Sequence, residues 1–163
     1  MSTIKDKNLA TIGQQEVDWA ARQMKVLEEI KTEFSSSKPL NGLNIGACMH
    51  VTKETANLML TLKAAGANVA LCASNPWSTK DSVAAYLSEN DIEVHAVHGV
   101  SNEDFFKHLN SVLDTNPDIT MDDGADLVTL LLTDRADIPI MGSMEETTTG
   151  VIRLKSMEKN NKL

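Results

Sequence analysis

Apolar residues recur at three- and four-residue spacing near the start of the chain: Ile12, Val17, Trp19, Ala20, Met24, Leu27 and Ile30. That period predicts a long amino-terminal helix, which Ser35-Ser36-Ser37-Lys38-Pro39 should end as a turn. Short apolar runs then alternate with amphipathic segments. Residues 43–48 precede 54–65, 69–73 precede 79–88, 92–97 precede 103–113, 119–121 precede 125–132, and 138–141 precede 149–157. Gly66, Asn90 and Asn116-Pro117 stand where the intervening helices should stop. Parallel strands need long crossovers, and here each crossover reads as a helix. The pattern therefore predicts a doubly wound, three-layer α/β fold with a parallel Rossmann-like sheet of at least five strands, preceded by the long helix.

Composition narrows the function classes. With 163 residues, 42% of them hydrophobic and 23% charged, the chain fits one globular domain. A net charge of −8 with no cluster of Lys or Arg excludes nucleic acid or an anionic membrane as the main partner. Cys48 and Cys72 are too sparse for a disulfide framework or a zinc site, and both are expected to be reduced and buried. No signal core and no membrane-length apolar stretch occurs, so a cytoplasmic location is expected.

In an open α/β sheet, ligands bind beyond the carboxyl ends of the strands. The residues following the apolar runs are His50-Val51-Thr52-Lys53-Glu54, Ser74-Asn75, His98-Gly99, Asp122-Asp123-Gly124, and Glu145-Glu146-Thr147-Thr148-Thr149-Gly150. Each has a structural explanation. Thr52 can be a helix N-cap that leaves His50 an ordinary loop residue, and Asp122-Asp123 can be a capping pair. Glu145 through Thr149 supply more charge and hydroxyls than one cap uses. Convergence favours chemistry: His50, Asp123 and Glu146 at one rim, expected to gather with Asn75, would combine a proton-transfer group with acceptors for vicinal sugar hydroxyls, as a nucleoside site requires. His95, His98 and His108 show no metal-ligand spacing, so no metal is expected.

The runs Ala47-Cys48-Met49-His50-Val51-Thr52-Lys53-Glu54, Ala73-Ser74-Asn75-Pro76-Trp77-Ser78-Thr79, Met121-Asp122-Asp123-Gly124 and Glu145-Glu146-Thr147-Thr148-Thr149-Gly150 resemble the adenosylhomocysteinase family, in order and spacing, from about Trp19 to Met157. The resemblance implies an NAD-dependent hydrolase that converts S-adenosylhomocysteine and water to adenosine and homocysteine, tetrameric in the family. By position it implies that Thr52 and Glu54 contact the nucleoside, with Glu54 at the adenine amino group. His50 and Asp123 become the proton-transfer groups, Glu146 binds the ribose hydroxyls and assists at the 3′ position, and Thr147, Thr148 and Thr149 reach toward the nicotinamide end of NAD. Lys80 departs from the family, where many relatives have Gln. The further expectation is that residues 1–163 are an incomplete substrate-binding domain. The family's catalytic lysine, its partner aspartate and its NAD-binding domain would lie outside the chain, and no Gly-x-Gly-x-x-Gly follows any candidate strand. The isolated chain is then expected to be inactive. Two other readings are a stand-alone nucleoside-binding or regulatory module and a non-catalytic partner of a full-length hydrolase.

Overall fold

The computed structural model describes residues 1–163 and contains six strands and seven α-helices. In chain order these are β1 (Thr3–Ile4), α1 (Ala10–Ala21), α2 (Lys25–Ser37), β2 (Asn44–Met49), α3 (Lys53–Ala64), β3 (Asn68–Ala73), α4 (Asp81–Glu89), β4 (Glu93–Ala96), α5 (Asn102–Leu113), β5 (Ile119–Asp122), α6 (Asp126–Leu131), β6 (Gly142–Glu145) and α7 (Thr148–Lys159). All strand pairs are parallel, in the order β1-β4-β3-β2-β5-β6. From β2 the chain winds outward through β3 to β4, then crosses back to lay β5 on the other side of β2 and β6 beyond it. This is the doubly wound topology that the alternation predicts, and it puts the switch point between β2 and β5.

Successive strand residues face opposite ways, so each central strand feeds two cores. Ile45, Ala47 and Met49 of β2 pack with Leu71, Val94, Met59, Val83 and Leu87 beneath α3 and α4. Cys48 and Cys72 point the other way, into a core made with Leu109, Val112, Leu113, Leu127 and Leu131 of α5 and α6. Both cysteines are buried and unbridged, as expected.

Three expectations need correction. The amino-terminal helix is two helices. The Gln23 and Met24 N–H groups bond back to Ala20 and Ala21, and Met24, at φ −106° and ψ 53°, leaves helical geometry. The reason is tertiary: α1 buries Ala10, Gly13, Val17 and Ala20, packing on α4 and α3, whereas α2 turns away to lie on α3 with no fully buried residue. Second, Ser35-Ser36-Ser37 is the last turn of α2, since the Ser35 and Ser37 hydroxyls donate to the Thr32 and Glu33 carbonyls; Lys38, in left-handed conformation, ends the helix. Third, the last strand is 142–145, not 138–141. Buried Ile138 and partly buried Ile140 join the α5/α6 core on the approach. The strand itself pairs only with β5 and is largely exposed, so no apolar alternation marks it. A further short strand, β1, adds to the opposite edge of the sheet beside β4.

Candidate functional site at the switch point

β2 ends at Met49 and the neighbouring β5 at Asp122, so the residues that follow them, His50 and Asp123, leave adjacent strands at the switch point. His50 Nε2 lies 3.2 Å from Asp123 Oδ2, and Ser74 Oγ donates to the same oxygen at 3.3 Å. On the other side of the ring, Nδ1 is 2.5 Å from Ser78 Oγ. His50 is thus held at both nitrogens, by Asp123 after β5 and by Ser78 in the turn after β3. It lies in the loop between β2 and α3, and both its ring nitrogens have side-chain partners there.

The Asp122-Asp123 pair divides its labour. Asp122 turns inward, 1% exposed, and one carboxylate oxygen accepts the Val128 N–H while the other has no partner. Burial raises its pKa to about 6, against the hydrogen bonds from Val128 and Leu127, with the Asp126 and Glu145 charges adding to the rise. The capping explanation holds for Asp122, and Asp123 faces the rim. Between this pair and α6, Gly124 (φ +114°) and Ala125 (φ +63°) both lie in the left-handed region, a costly turn for alanine.

What holds this turn is Glu145, at the end of β6. Its carboxylate accepts the Gly124 N–H at 3.0 Å, the Thr147 N–H at 2.8 Å and the Thr147 hydroxyl at 2.6 Å. Burial raises the Glu145 pKa, but these donors outweigh it and leave the carboxyl below its usual range. A Cβ at Gly150 would sit 2.1 Å from the Glu145 carboxyl carbon, so any larger residue there would displace the Glu145 carboxylate from these bonds. Arg153 of α7 adds a second tie, donating to the Gly124 carbonyl and to Asp126 Oδ1 at 2.7 Å.

Glu146, the next residue, donates its N–H to the Asp122 carbonyl. Its pKa is raised by burial and then by the Asp123 and Glu145 charges. Glu146 lines a cavity of about 640 Å³ together with Glu54, Thr55, Met49 and Leu58, and with Gln23, Met24, Leu27 and Ile30 from the α1–α2 junction and α2. Its size is within the range of small-molecule sites. Thr52 is the N-cap residue of α3, but its hydroxyl makes no capping bond. Thr147 caps α7 by accepting the Gly150 N–H, while Thr148 and Thr149 are exposed on the first turn of that helix. Asn75 joins the cluster through its carbonyl, which accepts from Ser78 Oγ; its side chain caps the turn Pro76–Ser78.

The structure therefore places His50, Asn75, Asp123 and Glu146 just beyond the carboxyl ends of β2, β3, β5 and β6, at one edge of the parallel sheet, and Glu54 lines a cavity with Glu146. Sequence reasoning missed the α2 wall, the Glu145 clamp and the Ser78 contact. Serine beside asparagine and proline reads as a turn, and nothing in an amphipathic pattern says which face will line a cavity.

A doubly wound α/β domain with a histidine–carboxylate pair at its switch point and an open cavity nearby has the arrangement in which folds of this class hold small molecules. The sequence model of the S-adenosyl-L-homocysteine hydrolase family matches residues 1–140. The chain is 46% identical to an adenosylhomocysteinase of Pyrococcus abyssi over 162 residues, covering 98% of this chain and 38% of that protein. It is 48% identical to an S-inosyl-L-homocysteine hydrolase of Methanococcus maripaludis, over 100% of this chain and 40% of that one. An adenosylhomocysteinase of Aquifex aeolicus is 48% identical over 98% of this chain and 39% of its own length. The chain belongs to the S-adenosyl-L-homocysteine hydrolase family, and it spans about two fifths of the length of these curated relatives.

Proposed function

We propose that residues 1–163 form the substrate-binding wall of an S-adenosylhomocysteine hydrolase site, acting on a nucleoside thioether together with NAD. The observation that carries this reading is the His50–Asp123 pair at the switch point, with Glu146 following the neighbouring strand β6 and lining a cavity together with Glu54. Glu54 offers acceptor oxygens to the adenine amino group, and the free hydroxyl of Thr52 offers a second polar contact. Glu146 accepts from the ribose hydroxyls, and the rise of its pKa, from burial and then the Asp123 and Glu145 charges, eases its taking up a proton. His50 and Asp123 exchange protons with the departing thiol and the entering water.

When bound, NAD supplies reversible hydride acceptance at the ribose 3′ carbon. The residues available to it here are Thr148 and Thr149, whose exposed hydroxyls on the first turn of α7 fit a polar group such as the nicotinamide amide. Thr147 contributes by setting that turn, because its hydroxyl is already engaged by Glu145 and Gly150. The rest of the NAD site, a tetrameric assembly and a cytoplasmic location belong to the same reading; no helix here is long and apolar enough to cross a membrane.

The S-inosyl relative makes the base a question of its own. Hypoxanthine presents a carbonyl where adenine presents an amino group, so a carboxylate at Glu54 favours adenine and a Glu54→Gln side chain, with a donor, favours hypoxanthine. Calorimetric titration with adenosine and inosine, with and without NAD, tests both levels. Adenosine binding lost in the Glu54→Ala/Glu146→Ala double variant supports the site, while binding unchanged by that variant rejects it.

A further inference from the structure

We propose that Ser78 is a positioning residue that fixes the tautomer of His50, holding a hydrogen on Nδ1 and leaving Nε2 as the nitrogen that exchanges a proton with Asp123 and with bound ligand. The inference rests on reading His50 as a proton-transfer group, and nothing in the family comparison assigns Ser78 a role.

The argument is a count of hydrogens. Ser78 Oγ lies 3.0 Å from the Asn75 carbonyl oxygen and 2.5 Å from His50 Nδ1. A carbonyl can only accept, and a hydroxyl has one hydrogen. With that hydrogen directed to Asn75, Oγ presents only lone pairs to the ring, so Nδ1 must carry the proton. Were the hydroxyl turned toward Nδ1, its lone pairs would instead face the Asn75 oxygen with nothing between them. The neutral ring then has its lone pair on Nε2, 3.2 Å from Asp123 Oδ2. Nε2 is therefore the nitrogen free to take up a proton and pass it on, with the Asp123 carboxyl in reach as the exchange partner, while the Nδ1 proton is parked.

The local fold makes Ser78 suited to this. It ends the turn Pro76–Ser78, whose start is fixed by Asn75 Oδ1 accepting the Trp77 N–H at 2.9 Å, and the Asn75 carbonyl also accepts from the Ser78 N–H and the Thr79 hydroxyl. The acceptor that orients Ser78 is thus held by the backbone of its own turn. Without Ser78, a neutral ring would be free to carry its proton on Nε2 and donate it to an ionised Asp123, a resting pair with no proton to give.

The test is the tautomer itself. Long-range proton–nitrogen NMR spectra of the chain labelled with 15N-histidine, His50 assigned through His50→Asn, distinguish a protonated from an unprotonated ring nitrogen. The expected result for neutral His50 is a protonated-type Nδ1 and an unprotonated-type Nε2, retained in Ser78→Thr and exchanged in Ser78→Ala. A wild-type ring protonated on Nε2 overturns the proposal, as does a Ser78→Ala ring unchanged from wild type. If Ser78→Ala does not fold, the wild-type and Ser78→Thr spectra decide. Adding adenosine to the same samples separates this proposal from the functional reading: an Nδ1–H ring whose signals ignore adenosine leaves the tautomer lock standing and removes the nucleoside.

Discussion

Asp122 and Asp123 are neighbours in sequence whose surroundings oppose each other. The carboxyl of Asp122 has a folded-state pKa of about 6 against an ordinary 3.8, raised chiefly by burial. A raised carboxyl binds its proton more tightly when folded, so its contribution to stability is full below about pH 4 and is lost as pH rises through about 6. At about 1.4 kcal/mol per pH unit, the loss is on the order of 3 kcal/mol. Asp122→Asn keeps an oxygen for the Val128 N–H and has nothing to ionise. Urea unfolding of the two proteins should therefore diverge across that window, the variant gaining relative to wild type as pH rises; parallel curves would reject the assignment. Glu145, held low by its donors, acts with the opposite sign, contributing stability that is lost as pH falls through its folded pKa. At the rim, the Asp123 charge adds to burial in raising Glu146. Asp123→Asn should move the Glu146 titration downward, read by carboxyl-carbon NMR, and an unmoved curve would mean that the two side chains do not share the site.

At the scale of elements, close approach of helices matters more than propensity. A Cβ on Gly13 of α1 would lie 2.0 Å from the Ser82 carbonyl oxygen of α4. Gly13→Ala ought to stabilise an isolated helix by about 1 kcal/mol. In this packing it should instead destabilise by about 1–3 kcal/mol through overpacking, measurable as a lower thermal midpoint. A rise would show that the two helices separate at little cost. At the start of α5, Ser101 accepts the Asp104 N–H at 3.2 Å, and Ser101→Ala should cost about 1 kcal/mol, as loss of a helix cap does. The alternation of runs announced most of these elements correctly because a parallel strand buried on both faces must be apolar throughout. The exceptions are β1, α1–α2 and β6, where local pattern and tertiary surroundings part company.

For the whole molecule, the relevant feature is that the rim faces water. Side-chain exposure is 47% for His50 and 54% for Glu54, so bonds to a ligand compete with solvent and contribute about 0.5–1.5 kcal/mol each. Adenosine should bind the 163-residue chain with a dissociation constant on the order of millimolar, without detectable release of homocysteine from S-adenosylhomocysteine. Micromolar affinity in calorimetry would mean that the cavity beside α2 encloses the nucleoside by itself. The sequence alone determined the doubly wound α/β class, the succession of strands and helices from β2 to α6, and which residues follow β2, β3, β4 and β5, because burial period is a local property written in apolar spacing. It also singled out His50, Asp123 and Glu146. Only the tertiary structure decided that Asp122 is buried while Asp123 faces the rim, that Glu145 clamps a turn while Glu146 lines the cavity, and that Ser78 reaches His50. These outcomes depend on distances between residues far apart in the chain, 28 positions for Ser78 and His50, and on which of two adjacent side chains the pleat of a strand turns inward.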